Sequence, residues 1–292
     1  MKKDLLYHII ALLVIAIWGV TFINTKVLIL HGLTAHEIFV LRFGVAYLGI
    51  WAFSPRRLLS YTWQDELLMA VLGITGGSLY FLCENNAIDI SLVTNVAFIV
   101  STSPLLAVLI AMALFRNFHA TPALIFGSLP SLLGVALVIF NGSFILKINP
   151  FGDFLALSAG LCWAVYCLVM RRVSTRYNAT FITRKVFFYG IVTILPYFLV
   201  EPWTFPLERL AEPAVWGNLL FLAVIASLAC FILWNAAIKR LGAIRTANYV
   251  YLNPLTTLIG SAIYLHEPLT WVSMLGSALI LAGIYMARKV NF

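Results

Sequence analysis

Ten apolar runs, each long enough to cross a bilayer, divide this chain, and nothing else in the sequence restricts its fold so strongly. They fall at about 6–25, 37–53, 67–86, 92–115, 122–140, 152–170, 182–200, 215–238, 246–265 and 270–287. A spanning helix needs roughly 20 apolar residues, so ten of them occupy about 200 positions. With 292 residues in all, short loops are what remain. Lipid cannot hydrogen-bond an exposed backbone, so such runs are read as helices, which satisfy their own backbone polar groups. Charged residues make up 10% of the chain, against about 25% in soluble domains. The expectation is an all-α integral membrane protein with ten transmembrane helices and no soluble catalytic domain.

The basic residues orient these spans. With the amino terminus inside, the cytoplasmic segments hold Lys2, Lys3, Arg56, Arg57, Arg116, Arg171, Arg172, Arg176, Arg184, Lys185, Lys239, Arg240, Arg245, Arg288 and Lys289. The outer segments hold Lys26, Lys147 and Arg209, and Arg42 falls inside the second run. Lys and Arg are retained on the cytoplasmic side, so both termini are expected in the cytoplasm of a multi-pass protein of the inner (plasma) membrane. That asymmetry also explains the formal charge of +8 without nucleic acid, which is not an expected partner. Lys2 and Lys3 precede a run that ends Trp18-Gly19-Val20-Thr21-Phe22. It lacks a small-x-small cleavage pattern and reads as an uncleaved first span.

The layout repeats. Ala87 to Pro104 is 17 residues, and so is Ala237 to Pro254. Each stretch carries a short polar break, at Asp89 in one and at Lys239, Arg240 and Arg245 in the other, followed by an apolar run with a proline. Trp18 and Trp163 occupy matching first helices 145 positions apart, and on that offset Thr21 meets Tyr166. Two repeats of five spans have opposite topology, because an odd number of crossings leaves the chain on the other side. The expected units are residues 1–141 and 142–292, joined through Asn141–Asp153. Inverted repeats are the layout from which many secondary transporters derive two access states.

Together with Leu265-His266-Glu267-Pro268 before the last run, these features resemble the EamA family of the drug/metabolite transporter superfamily, over nearly the whole chain. Phe115-Arg116-Asn117-Phe118 departs from the family pattern in the first half. The resemblance implies a permease that exports small metabolites, amino acids or amphipathic compounds by alternating access. It also implies a central cavity lined by helices one, three, four, six, eight and nine, with helix two at the periphery.

Several polar residues stand inside the apolar runs. Glu84, with Tyr80 one turn earlier on the same helix face and Asn85 following, is either a proton-coupling carboxylate, a seat for a solute amine, or a solvated or hydrogen-bonded acid at a helix end facing the outer water. Trp18 and Trp163 lie mid-span, away from the interfacial belts where indoles normally gather. With Tyr166 they offer either a stacking surface for a solute or core packing. Asn95, Asn235, Asn248, Tyr251 and Asn253 supply uncharged hydrogen-bonding groups, as cavity residues or as helix-to-helix glue. Pro104 and Pro254 interrupt two spans and read as kinks that shape or gate the cavity. Arg42, a buried cation, is a functional candidate by default, but with helix two at the periphery it is assigned a structural pairing with a helix-end carbonyl or acid; Glu267 is read as a cap or loop anchor. Glycines seven apart, Gly127 with Gly134 and Gly276 with Gly283, form small-residue faces suited to close helix packing.

Cys83, Cys162, Cys167 and Cys230 lie within apolar runs and behave as small hydrophobes. The chain has no phosphate-binding GxxxxGK[ST] loop and no HExxH spacing, so no cofactor or metal is expected, nor an enzyme. The expected partners are a small-molecule substrate and the lipid bilayer, with the chain working as a monomer or weak homo-oligomer. The alternatives are a polytopic enzyme acting on a lipid-linked substrate and a non-transporting membrane scaffold. The orientation is testable by labelling: in a cysteine-free background, Glu208→Cys reacts with a membrane-impermeant maleimide on intact cells, whereas Asn117→Cys reacts only after permeabilisation. The reverse pattern would overturn the assigned topology.

Overall fold

A computed structural model describes residues 2–54, 57–91, 93–115, 122–140, 149–256, 259 and 270–287. Every regular element among the described residues is helical. The chain runs through α1 (Lys2–Leu30), α2 (Ala35–Ile50) and α3 (Trp63–Gly73), then a π-helical turn, Ile74–Ser78, into α4 (Leu79–Ile90). It continues through α5 (Val93–Val100), α6 (Ser103–Leu114), α7 (Pro122–Phe140), α8 (Pro150–Ser174) and α9 (Ala179–Ile194). A second long helix is built from α10 (Pro213–Leu220), a π-helical stretch, Phe221–Ala229, and α11 (Cys230–Leu241). After α12 (Ala243–Ala247) and a 3-10 segment, Asn248–Leu252, the last described helix is α13 (Trp271–Ala287).

Six helical stretches are long and apolar enough to cross a membrane: Asp4–Leu30, Trp63–Ile90, Val96–Leu114, Pro150–Ser174, Ala179–Leu199 and Pro213–Leu241. The expected second, fifth and tenth runs are also helical, as α2, α7 and α13. The expected ninth run lies partly outside the described residues, as do Glu267 and most of the Asn141–Asp153 link.

Polar residues at the turns set the helix ends. Gly32, at φ 101°, closes α1, with Leu33 N–H returning to the Leu28 carbonyl at 3.1 Å and Gly32 N–H to Ile29 at 2.9 Å. That is the paired bonding of a Schellman cap, which needs the left-handed region open to glycine. Two residues on, Thr34 and Glu37 form a reciprocal capping box that starts α2. Glu37 is fully buried, and its other oxygen accepts the Thr204 and Phe205 backbone N–H groups at 2.6 and 2.9 Å. Thr62, Asn149 and Asn178 cap α3, α8 and α9 in the same way.

The two glycine pairs face each other. A Cβ on Gly134 would fall 2.8 Å from Ile280 N, and one on Gly283 2.7 Å from Ser131 N. α7 and α13 therefore touch backbone to backbone, an approach that any larger residue would block.

The Arg- and Lys-rich end carries a second polar hub, at the start of α3. Glu66 pairs with Lys185 of α9 and accepts from the Tyr189 hydroxyl, while the Ser60 N–H donates to it at 2.7 Å. Beside it, Asp65 accepts from Arg176 at 3.0 Å and from the Tyr177 hydroxyl at 2.9 Å. Lys185 and Glu66 are both buried, so removing one partner strands the other's charge. Glu66→Gln should therefore lower the unfolding free energy by about 3–5 kcal/mol, whereas Glu66→Met with Lys185→Met should recover much of that loss. Denaturant titration of the purified protein distinguishes the two variants, and equal loss in both would refute an ion-pair origin.

Candidate functional site

A cavity, partly open to solvent, lies among α1, α2, α4, α5, α8 and α11 and the segment after α12. It is lined by Trp18, Thr21, Phe22, Arg42, Tyr80, Phe81, Glu84, Val100, Trp163, Phe231, Val250 and Asn253. The floor is aromatic because four elements each send a ring to one place. Trp18 meets Trp163 edge-on at 5.2 Å and lies 5.0 Å from Trp234. Tyr80 lies 5.3 Å from Trp163. The Trp18 indole N–H donates to the Ala226 carbonyl at 2.9 Å, which fixes the ring against the π-helical stretch.

The i, i+4 spacing of Tyr80 and Glu84 becomes a hydrogen bond of 2.6 Å from the phenol to the carboxylate. Glu84 is buried at 7% exposure, and α4 continues six residues past it to Ile90. This corrects the solvated helix-end reading, because the acid faces an internal space instead. Arg42 is also buried, at 2% exposure. Its Nε donates to Ser227 Oγ at 3.0 Å, and its guanidinium lies over the Phe81 ring at 4.4 Å. Ser227 belongs to the π-helical stretch, a geometry often found at functional positions. No salt bridge of 4.0 Å or less joins Arg42 to a carboxylate among the described residues.

Of the residues singled out in the sequence, Trp18, Tyr80, Glu84, Trp163 and Asn253 line the cavity. Others are not among the lining residues. Tyr166 donates to Asn235 Oδ1 at 2.5 Å, and Asn235 donates to Thr183 Oγ1 at 2.9 Å. This chain ties α8, α11 and α9 together inside the protein. Asn85 donates to the Ala35 carbonyl at 3.2 Å, holding α4 to the start of α2. Asn248 and Tyr251 are buried in the 3-10 segment. The side chain of Asn95 lies outside the described residues.

The prolines stand at interruptions of their helices. Pro104 stands in the first turn of α6, after a break at Ser101–Thr102, where a missing N–H costs little. Pro254 likewise follows the 3-10 segment as the chain becomes helical again over 253–256. Both mark a point where the helix restarts after a break.

Arg42 is the correction of most consequence. The family resemblance put helix two at the periphery, but α2 crosses beside the cavity and contributes its cation. A buried charge in a spanning segment was the signal in the sequence. Ser227, Phe81 and Phe231 carried no such signal, being ordinary residues of apolar runs. No group of three or more metal-ligating side chains occurs among the described residues.

Comparison with known proteins sets this cavity in context. The EamA-like transporter family matches the chain over residues 5–140 and again over 150–288. An uncharacterized transporter of Archaeoglobus fulgidus is 27% identical, with 96% of each chain covered. A probable amino-acid metabolite efflux pump of Escherichia coli is 24% identical, over 98% of this chain and 94% of its own. A probable terminal-alkyne amino-acid exporter of Streptantibioticus cattleyicolor is 24% identical over 77% and 74%. One crystal structure, 18% identical, superposes with a TM-score of 0.75 over 96% of each chain, a likeness of fold.

Lining and supporting residues should separate experimentally. Tyr166→Phe withdraws a donor from the buried Asn235 oxygen and should cost about 1–3 kcal/mol of stability. Because Tyr166 is not a lining residue, ligand affinity should stay within about twofold. Trp163→Ala opens the cavity wall and should change ligand affinity about tenfold or more, the range seen when an aromatic anchor is truncated. Thermal unfolding and ligand-shift measurements on both variants check the distinction.

Proposed function

The chain belongs to the EamA-like transporter family, and from that membership we propose that it is a secondary transporter exporting small metabolites across the plasma membrane by alternating access. Amino acids and amphipathic compounds are the solutes that suit an aromatic cavity with one carboxylate. The observation that carries this reading is the cavity itself: Glu84 and Arg42 lie buried on an aromatic-lined space inside a bundle of apolar helices. Intramembrane ionisable residues of this kind mark solute or proton pathways. The names of the Escherichia coli and Streptantibioticus cattleyicolor relatives, an efflux pump and an exporter, favour the outward direction.

In this reading residues 1–141 and 142–292 are two five-helix repeats of opposite topology, with both termini cytoplasmic. The helix restarts at Pro104 and Pro254 occupy matching places in the two halves and supply points where each half can reorient. Glu84 couples the cycle: its carboxylate holds either a proton or the solute's amine, so arrival of one displaces the other. An inward proton gradient then drives the solute out.

The test is flux in proteoliposomes. Wild type should show saturable counterflow of its solute and faster export under an inward proton gradient. Glu84→Gln cannot release a proton and should keep counterflow of any solute it still binds while losing the response to the gradient. An unchanged gradient response in this variant would remove Glu84 from the coupling step, and absence of saturable flux in folded wild type would overturn the transport reading.

A further inference from the structure

Of the twelve described lining residues, two carry charge, Arg42 and Glu84, and their charges are opposite. They are not joined in an ion pair within 4.0 Å among the described residues. Each is instead held by a neutral neighbour: Tyr80 donates to Glu84, and Ser227 accepts from Arg42. Apposed charges in a low-dielectric interior attract strongly, and these two line one pocket, so a ligand with both charges could meet each of them there.

The geometry around Arg42 narrows what that is. A guanidinium offers five N–H donors in a rigid fork. Ser227 takes Nε, and Phe81 covers one face of the plane. Nothing among the described residues accepts from the two terminal nitrogens, whose parallel N–H groups form the edge that binds a carboxylate through two bonds. Arg42 is 98% buried in the protein, at 2% exposure, and borders the cavity. A solvated surface arginine would not be held this way. Among its described residues the site has one positive charge to offer, which matches a carboxylate and would leave a phosphate dianion half-neutralised. A simple amine would leave Arg42 unmatched, and a simple acid would leave Glu84 unmatched.

We propose that Arg42 is the anion-recognition residue of the cavity and that, together with Glu84, it makes the site selective for an amino-carboxylate zwitterion, with the carboxylate on the Arg42 fork, the ammonium on Glu84 and the apolar side chain against Trp18, Tyr80 and Trp163. This rests on the transport reading and specifies its solute. It also gives α2 a direct part in binding. Because the bound solute is neutral overall and each charged end meets its complement, the buried charges are matched when the cavity is filled.

The experiment uses the purified full-length protein in proteoliposomes and four matched probes: phenylalanine, phenylalaninamide, phenethylamine and 3-phenylpropanoate, with the corresponding leucine series in parallel. Wild type should favour the amino acid of at least one series about tenfold or more over the probes lacking either charge, the range expected for losing a charged hydrogen-bond pair. Arg42→Gln should bring the amino acid and its amide to within about twofold of each other while keeping discrimination against 3-phenylpropanoate. Glu84→Gln should do the converse. Ser227→Ala, which keeps the guanidinium but frees its Nε, should lower the carboxylate preference by a smaller factor and tests the same point if Arg42→Gln does not fold. Saturable transport of phenethylamine in preference to phenylalanine, or an unchanged acid-to-amide ratio in folded Arg42→Gln, would overturn the inference while leaving the transporter reading intact. If wild type carries none of these probes but shows saturable flux of other metabolites, the inference fails alone. If it shows no saturable flux of any metabolite, both fail.

Discussion

The constraint on which this structure depends is that lipid offers no partner to a polar group, so every charge and every broken backbone turn inside the bundle must be answered by the protein or by what the protein binds. Arg42 and Glu84 show the consequence. Each is placed by the helix that carries it and steadied by one hydroxyl from another position, Ser227 for the arginine and Tyr80 for the acid. Ser227 belongs to the Phe221–Ala229 stretch, which is wound as a π-helix, and the Ala226 carbonyl of the same stretch accepts from Trp18. One local departure from α-geometry thus positions both a charge and a ring of the cavity.

The same constraint explains why the helices are broken where they are. Ile74–Ser78 contains Gly77 at φ −131° and ψ −110°, outside the helical region, and it lies directly before the turn bearing Tyr80. A Cβ on Gly76 in this segment would run into the Tyr166 ring, so glycine is what allows α8 to come close. Tyr166 in turn holds Asn235. The irregular turns, the close helix contacts and the buried hydrogen-bond chain therefore form one connected support around the cavity.

Much of this was legible in the sequence, and the remainder was hidden for physical reasons. Apolar length gave the helices, and the i, i+4 spacing gave the Tyr80–Glu84 pair. Mid-span position singled out Trp18 and Trp163. What the sequence could not distinguish was which side of an apolar helix faces the cavity, because α2 and α8 lack the polar stripe that orients a surface helix, and the consecutive Glu84, Asn85 and Asn86 of α4 point to different sides. Tyr166 and Asn235 were consequently grouped with Glu84 although they bond to each other, and Arg42 was set aside although it borders the cavity. Ser227 is a single hydroxyl in an apolar run, and its role depends on a wide turn that no residue pattern announces.

Two polar hubs stand at opposite ends of the bundle. At one end Glu37 binds the start of α2 to the Thr204–Phe205 backbone. At the other, Asp65 and Glu66 bind the start of α3 to α9 and to Arg176 and Tyr177. α2 starts at the first hub and, with Arg42 near its middle, leads through a short loop to the second. On the proposed cycle, opening toward one side means releasing one hub while the other holds. Such a hub suits alternation because its groups are charged or hydrogen-bonded: once opened it can be solvated by entering water, whereas a dry apolar seal of equal area would expose surface that water disfavours. The polar residues at the ends of the bundle and the polar residues at its centre therefore answer one requirement, that a charged solute be exchanged between water and a protein interior without ever meeting lipid.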